Sequence, residues 1–352
     1  MKVALLTTQI PFVRGGAEMH VNNLRAAIER AGHEVEILNI PFNDNPIQRI
    51  EDQIVAMRLL DASCSWGGNI DFAIGMKFPA YMIPHPNKVM WVLHQHRQAY
   101  DLYDTEFSNI KNDDEGYRIM NIIKRADIKY LAEAKRIYAN SGNVAKRMKT
   151  FCGLDSTPLY HPCPDMDKFY CGASENYLLM PSRINITKRQ LLAIKSLGKT
   201  KSDIKLYIVG AADNPIVKEE LNRNIEQFGI QDRVKYFDFV SQEEKIKLYA
   251  DCRGVVFIPK DEDYGYITLE AMSSSKPVIT AKDSGGPLEF VLDRETGFVC
   301  EPNEESIAEA MDALAGDQKR AIDMGNNGKA RIDAMGISWD NVVKELLSNA
   351  NQ

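Results

Sequence analysis

The stretch KDEDYGYITLEAM, Lys260 to Met272, decides how the rest of the chain reads. It follows an apolar run, Gly254-Val-Val-Phe-Ile-Pro259, and precedes Lys276-Pro-Val-Ile-Thr280. A buried strand, a short loop and a helix beginning near Gly265 account for that order. Gly265 has no Cβ, so a ligand can approach the main chain closely there. The first-turn N–H groups of Tyr266, Ile267 and Thr268 would lack intrahelical partners and carry the positive end of the helix dipole. An anion suits such a place, a phosphate in particular. Glu262 stands in the loop and Glu270 inside the helix, with seven residues between them. The two carboxylates could flank the phosphate and accept hydrogen bonds from hydroxyls on either side, a sugar on one and a ribose on the other. A helix merely favoured by N-terminal acids reads from the same residues.

The same strand-to-helix alternation runs through all 352 residues. Strands are expected at Val3–Thr7, Glu34–Leu38, Phe72–Ile74, Val89–Leu93, Arg136–Ala139 and Pro158–Tyr160. A second set follows at Tyr177–Met180, Lys205–Val209, Val234–Tyr236, Val255–Ile258, Val278–Thr280 and Phe298–Cys300. Helices fit between them at Ala17–Arg30, Asn143–Lys149, Lys188–Leu197, Val217–Gln227 and Gln242–Ala250. Leu24, Ala27, Ile28 and Ala31 recur at helical spacing before Gly32, which ends that helix. Alternating βα units imply parallel sheets covered on both faces. Six strands per half imply two doubly wound domains, 1–165 and 170–336, joined through His161-Pro-Cys-Pro164. The segment from Ile337 to Leu347 reads as an amphipathic helix capped by Ser338, placed to pack back on the first domain.

Bulk properties narrow the function classes. The chain is 44% hydrophobic and 26% charged, a globular composition. No apolar run approaches the ~20 residues that span a bilayer. The N-terminus passes straight into a turn and lacks a signal-peptide cleavage region, so a cytoplasmic protein with reduced cysteines is expected. The net charge of -6 is uneven: residues 1–165 balance at 19 basic and 19 acidic, while 166–352 hold 24 and 30. Within the first half, Arg118–Lys149 holds nine Lys/Arg against two acids. That stretch could meet an anionic surface at the inner face of a membrane, or could be a pair of helices with solvated basic faces. No nucleic-acid partner is expected.

In open parallel sheets, ligands bind outside the carboxyl ends of the strands, so other strand exits matter. Arg183 and Lys188 lie in the loop after Tyr177–Met180, where a guanidinium and an ammonium together could neutralise a diphosphate. Gly15-Gly16 opens the first helix, again leaving main chain accessible. There is no GxGxxG, and Leu38 is followed by Asn39 rather than an acid, which disfavours a dehydrogenase-type dinucleotide site. His94 follows the Val89–Leu93 strand, and Ala281–Glu289 forms a further strand-exit loop.

With these loops in order, the sequence resembles retaining glycosyltransferase family 4, of the GT-B fold. The element Glu262-Asp-Tyr-Gly-Tyr-Ile-Thr-Leu-Glu270 looks like that family's E-x7-E motif. Lys276-Pro-Val-Ile-Thr280, Gly285-Gly286 and Thr296-Gly297 follow in the family's order. Gly15-Gly16-Ala-Glu18 and Gly32-His33-Glu34-Val35 are similar to its N-terminal signature. The resemblance implies two Rossmann-like domains facing a cleft, the first on the acceptor side and the second holding the donor.

It further implies that Arg183 and Lys188 hold the donor diphosphate, that Glu270 binds the ribose, and that Glu262 stands near the donor sugar beside the Tyr264–Ile267 main chain. Phe239-Val240 resembles the base pocket, and His94 the histidine at the donor sugar and reaction centre. Transfer would pass from a nucleoside diphosphate sugar, UDP favoured over GDP, to a hydroxyl of a glycan or lipid-linked saccharide. The anomeric configuration would be kept, and no separate cofactor would be needed. Asp261-Glu-Asp263 and Asp165-Met-Asp167 both read DxD, but two cations do the corresponding work in this fold, so no metal is assigned. A nucleotide-sugar 2-epimerase on the same scaffold and a non-catalytic nucleotide-binding subunit are the alternatives.

Overall fold

The computed structural model describes residues 1–12, 15–66 and 68–348. The chain divides into two compact units, one formed by Met1–Pro164 together with the segment from Ser338 onward, the other by Asp165–Ile337.

The first unit is built on β1 (Lys2–Gln9), β2 (Glu34–Pro41), the short hairpin β3 (Cys64–Ser65) and β4 (Gly68–Asn69), β5 (Phe72–Gly75), β6 (Lys88–Val92), β7 (Arg136–Ala139) and β8 (Thr157–Pro158). Apart from the hairpin, these form one six-stranded sheet in the order β2-β1-β5-β6-β7-β8, with every pair parallel. Because side chains alternate along a strand, β1 feeds two cores. Ala4 and Leu6 join one with Ile50, Ile54, Ile119, Ile123 and Met148, while Val3 and Leu5 join another with Val21, Leu24 and Ile28. The covering helices are α1 (Gly16–Arg30), α2 (Arg49–Leu59), α3 (Asp114–Leu131) and α4 (Gly142–Cys152).

The second unit carries β9 (Tyr177–Pro181), β10 (Lys205–Val209), β11 (Val234–Phe237), β12 (Gly254–Val256), β13 (Val278–Ala281) and β14 (Gly297–Cys300), all parallel, in the order β11-β10-β9-β12-β13-β14. Its helices are α5 (Gln190–Lys199), α6 (Pro215–Phe228), α7 (Gln242–Asp251), α8 (Tyr266–Ser273), α9 (Glu304–Gly316) and α10 (Gln318–Ala334). Strand order runs outward in both directions from the β9/β12 pair. The loops leaving β9 and β12 therefore diverge to opposite sides, the topological switch point at which doubly wound sheets bind ligands.

The last helix, α11 (Trp339–Leu347), is capped by Ser338, whose side chain accepts from the Asn341 N–H. It buries Val342, Val343 and Leu346 in the core of the first unit with Val3, Leu5 and Trp91. Beside it, the rings of His161 and Trp339 stack at 5.7 Å, and His20 meets His161 edge-on at 4.1 Å.

Several expected elements shift. The helix expected from Lys188 is broken: a 3-10 turn covers Ile186–Lys188, Arg189 is left-handed at φ 60°, and α5 starts at Gln190. Helices α2, α9 and α10 were not expected, although Asn303 and Asp317 cap the last two with side chains that accept from the Ser306 and Arg320 N–H groups. The basic stretch forms α3 and α4, but its charges are partly committed. Arg147 is buried, Lys149 pairs with Asp155 at 2.7 Å, and Arg118 pairs with Glu51 and Glu115. All six cysteines are free. No helix among the described residues is long and apolar enough to cross a membrane.

Candidate active site

Three strand-exit loops of the second unit are stitched into one surface. The loop after β9 is pinned from behind by buried Gln190, whose Nε2 donates to Ser182 Oγ at 2.8 Å and to the Arg183 carbonyl at 2.9 Å. Asn185 Oδ1 accepts the Lys188 N–H at 3.0 Å and fixes the 3-10 turn. The left-handed Arg189 sends its guanidinium to Asp283 in a bidentate pair at 2.7 and 2.6 Å, the geometry that makes Arg–carboxylate contacts strong. That hydrogen bonding holds the Asp283 carboxyl below its ordinary range.

The loop after β12 is held on both sides. Lys260 N–H donates to the Thr187 carbonyl at 2.8 Å, and Asp261 and Glu262 N–H groups donate to the carbonyls of Asp283 and Ser284 at 2.8 and 2.9 Å. Gly286 N–H returns a bond to the Glu262 carbonyl at 2.8 Å. This pairing requires a glycine at 286, since a Cβ there would lie 2.5 Å from the Tyr264 carbonyl oxygen and 2.9 Å from that of Asp263. Gly265 then turns with φ 91° into α8, a left-handed conformation that favours glycine. Tyr264 is buried, its ring edge-on to Tyr266 at 5.8 Å and Phe290 at 5.6 Å.

On this surface Lys188 and Glu262 form an ion pair. Their side chains are 19% and 25% exposed, so the contact is shielded yet reachable. Arg183 has a different partner: its side chain is 73% exposed and lies 3.5 Å from Asp213. Glu270 lies about one turn inside α8 and is buried, with both carboxylate oxygens engaged, Oε1 by Lys245 Nζ at 2.6 Å and Oε2 by the Tyr249 hydroxyl at 2.6 Å. The start of α8 is more closed than expected, because the Thr268 N–H donates to the Gly265 carbonyl at 3.0 Å rather than remaining open. Phe239 is 89% exposed and Val240 partly buried in the loop between β11 and α7.

The structure thus groups Lys188, Glu262, Tyr264, Gly265, Tyr266, Ile267 and Glu270 at the switch point. Gly15, Gly16 and His94 lie in the first unit. There the Gly15 N–H donates to Glu18 Oε2 at 2.8 Å, and His94 Nδ1 lies 2.8 Å from the Gln95 carbonyl. Arg189, Asp283, Lys245 and Tyr249 were not singled out in the sequence. Lys245 and Tyr249 are four apart on one helix face, a spacing that hints at a shared target, but only the fold reveals that the target is Glu270.

The fold is GT-B, two parallel-sheet α/β units. Residues 168–331 match the model for the family described as glycosyl transferases group 1. The alpha-1,3/1,6-mannosyltransferase ALG2 of Dictyostelium discoideum is 33% identical over 141 residues, covering 39% of this chain and 33% of that protein. The chain spans 33% to 40% of the length of the ALG2 proteins of D. discoideum, mouse and human. The uncharacterized glycosyltransferase MJ1607 of Methanocaldococcus jannaschii is 23% identical over 407 residues, covering 99% of this chain and 97% of that one. Among solved structures, Anabaena Alr3699/HepE in complex with UDP and glucose superposes with a TM-score of 0.72 at 18% identity, covering 99% of each chain.

Proposed function

We propose that the chain is a retaining glycosyltransferase that moves a hexosyl group from a nucleoside diphosphate sugar to a hydroxyl of a glycan or lipid-linked saccharide. One observation carries the reading: a cation, a carboxylate and a left-handed glycine at a helix start meet at the switch point of a doubly wound sheet. Lys188 exchanges Glu262 for the donor diphosphate, and Arg183 swings in from its exposed position to share the charge. Glu270 takes the ribose hydroxyls, and the Phe239–Val240 loop lies against the base. As the bond from the anomeric carbon to the diphosphate breaks, the acceptor oxygen bonds to that carbon from the same face and its proton passes to a departing phosphate oxygen. Stabilising the charge that develops on the leaving group is worth about 3 kcal/mol for a single well-placed donor. Two cations fill this role without a divalent metal. His94 and the Gly15-Gly16 turn serve the sugar and acceptor from the first unit.

The transferases among the relatives favour transfer over epimerisation. ALG2 and HepE differ in what their names and bound ligands say of the sugar, so both UDP and GDP donors enter the test. A thermal-shift screen of UDP, GDP and ADP sugars is followed by turnover with the stabilising donor. The expected result is donor-dependent transfer with the anomeric configuration kept, insensitive to EDTA and abolished in Lys188→Ala. Turnover unchanged in Lys188→Ala would remove the site assignment. Peripheral contact with anionic lipid is a separate proposal, supported by exposed Arg125, Lys129 and Lys146. It predicts vesicle binding at low salt that weakens when the three are neutralised.

A further inference from the structure

The two residues after His94 grip the chain from different directions. His94 follows β6 and is part-exposed, while Gln95 and His96 are buried. The His96 ring sits in an aromatic slot, 5.0 Å from the Phe78 ring and edge-on to Phe42 at 5.9 Å. Gln95 instead enters a line of buried polar groups, where its Nε2 donates to Cys152 Sγ at 3.0 Å.

That line runs on through the core of the first unit. Cys152 Sγ donates to the Tyr100 hydroxyl oxygen at 3.5 Å, and the Tyr100 hydroxyl donates to Asp127 Oδ2 at 2.8 Å. The Tyr81 hydroxyl donates to Asp127 Oδ1 at 2.7 Å and steadies the far end. Every link from Gln95 to Asp127 points the same way, so a donor meets an acceptor at each step. The groups come from separate elements: Cys152 closes α4, Asp127 belongs to α3, and Tyr100 lies in the segment between β6 and α3. All are buried, where losing one partner leaves the others costly and the complete line favours a single arrangement. Nothing in the transfer chemistry described above uses Gln95, Cys152, Tyr100 or Asp127.

The main chain of Gln95 meets His94. The Gln95 carbonyl lies 2.8 Å from His94 Nδ1. A carbonyl only accepts, so Nδ1 carries the hydrogen, and the neutral ring keeps Nε2 bare as an acceptor. We propose that Gln95 is a positioning residue: anchored through Cys152 and Tyr100 to Asp127, it holds the His94 ring in the Nδ1–H form with its own carbonyl. That His94 acts at the sugar rests on the reading under Proposed function; the tautomer and its anchor rest on this geometry alone.

The test uses the full chain. Gln95→Leu and Cys152→Ala cut the line, whereas the hydroxyl of Cys152→Ser can accept from Gln95 and donate to Tyr100 as the thiol does. Nitrogen-15 NMR in alkaline buffer, where ordinary imidazoles are neutral, reads which ring nitrogen carries the hydrogen. The His94 signals are identified by their loss in His94→Gln. The unaltered chain and Cys152→Ser are expected to keep Nδ1 protonated, and the two cut variants to shift His94 toward the Nε2–H form that free histidine favours. Where turnover is available, kcat falls about tenfold in the cut variants with donor KM within about twofold, and Cys152→Ser recovers it, the pattern of a misplaced group rather than of weakened binding. If Gln95→Leu does not fold, the contrast between Cys152→Ala and Cys152→Ser decides. An Nε2–H ring in the unaltered chain, an Nδ1–H ring kept in the cut variants, or Cys152→Ser behaving like Cys152→Ala would each overturn the inference. Failure of the transferase reading would appear instead as the expected tautomers in a chain that turns over no nucleotide sugar.

Discussion

Lys188 and Glu262 are joined by an ion pair although 74 residues separate them in sequence. One sits at the exit of β9 and the other at the exit of β12, so the pair closes the switch point. Removing either partner leaves the other partly buried and uncompensated, which for shielded pairs matters more than the pair's net worth.

This makes the two single variants diverge. Lys188→Ala is expected to lose nucleotide binding. Glu262→Ala frees the ammonium and is expected to bind UDP or GDP several-fold more tightly while transferring sugar poorly, since charge-assisted contacts to phosphate are strong. Calorimetric titration of both variants checks this. Weaker nucleotide binding in Glu262→Ala would show that the pair does not compete with the diphosphate.

The clamp on Glu270 gives a second expectation. Tyr249→Phe and Lys245→Met each free one carboxylate oxygen and let the side chain rotate. Ribonucleotide affinity should fall by about fivefold to tenfold, the upper part of the ~0.5–1.5 kcal/mol that a typical hydrogen bond contributes. Affinity for the 2′,3′-dideoxynucleotide should hardly change, because it lacks the hydroxyls Glu270 would hold. Equal losses for both nucleotides would reduce the clamp to a packing role.

Gly286→Ala tests the stitched loops. A methyl group 2.5 Å from the Tyr264 carbonyl oxygen must push the Asp263–Gly265 segment aside. A stability loss of about 1–3 kcal/mol, typical of overpacking, should accompany a larger loss of nucleotide binding. Denaturant melts and titrations measure the two separately.

The first unit holds two buried groups with opposite pH signatures. Asp127 accepts from the hydroxyls of Tyr81 at 2.7 Å and Tyr100 at 2.8 Å, and burial pushes its carboxyl up to about 7 from 3.8. Its contribution is present below pH 3.8 and is lost as pH rises to about 7. Burial lowers His161 from 6.5 to about 3, so its contribution is present above pH 6.5 and is lost as pH falls toward 3. Relative to the unaltered chain, Asp127→Asn should therefore gain stability with rising pH and His161→Phe with falling pH. Each difference has a ceiling on the order of 4 kcal/mol across its window. Urea melts at several pH values decide, and parallel slopes for the two variants would refute the assignment.

Much of this architecture was readable locally. Runs such as Tyr177–Met180 and Val278–Thr280 are apolar and short, and Gly265 and Gly286 mark places where a side chain would not fit. The α8 start was legible because a strand, a glycine and a helical run are contiguous there. What escaped is non-local. Arg189 was hidden because its left-handed backbone interrupts the Lys188–Leu197 helical pattern, and its partner Asp283 lies on another loop. Lys245 and Tyr249 read as ordinary helix residues until α7 packs against α8. Sequence placed Glu262 in the loop and Glu270 in the helix but could not show their partners, and folding gives one a cation at the surface and the other a buried clamp. Arg147 appeared to belong to a basic face until packing buried it.

Helix α11 comes last in the chain but completes the hydrophobic layer of the half that begins it. Val3, Leu5 and Trp91 would be laid bare in a fragment ending at Pro164, which should aggregate or be digested. A fragment of residues 165–337 keeps its own sheet and helices whole, so it is the half to express alone for nucleotide titration. Tags or fusion partners are best joined beyond Leu347 through a spacer, since anything that tugs on α11 strains the opposite end of the polypeptide.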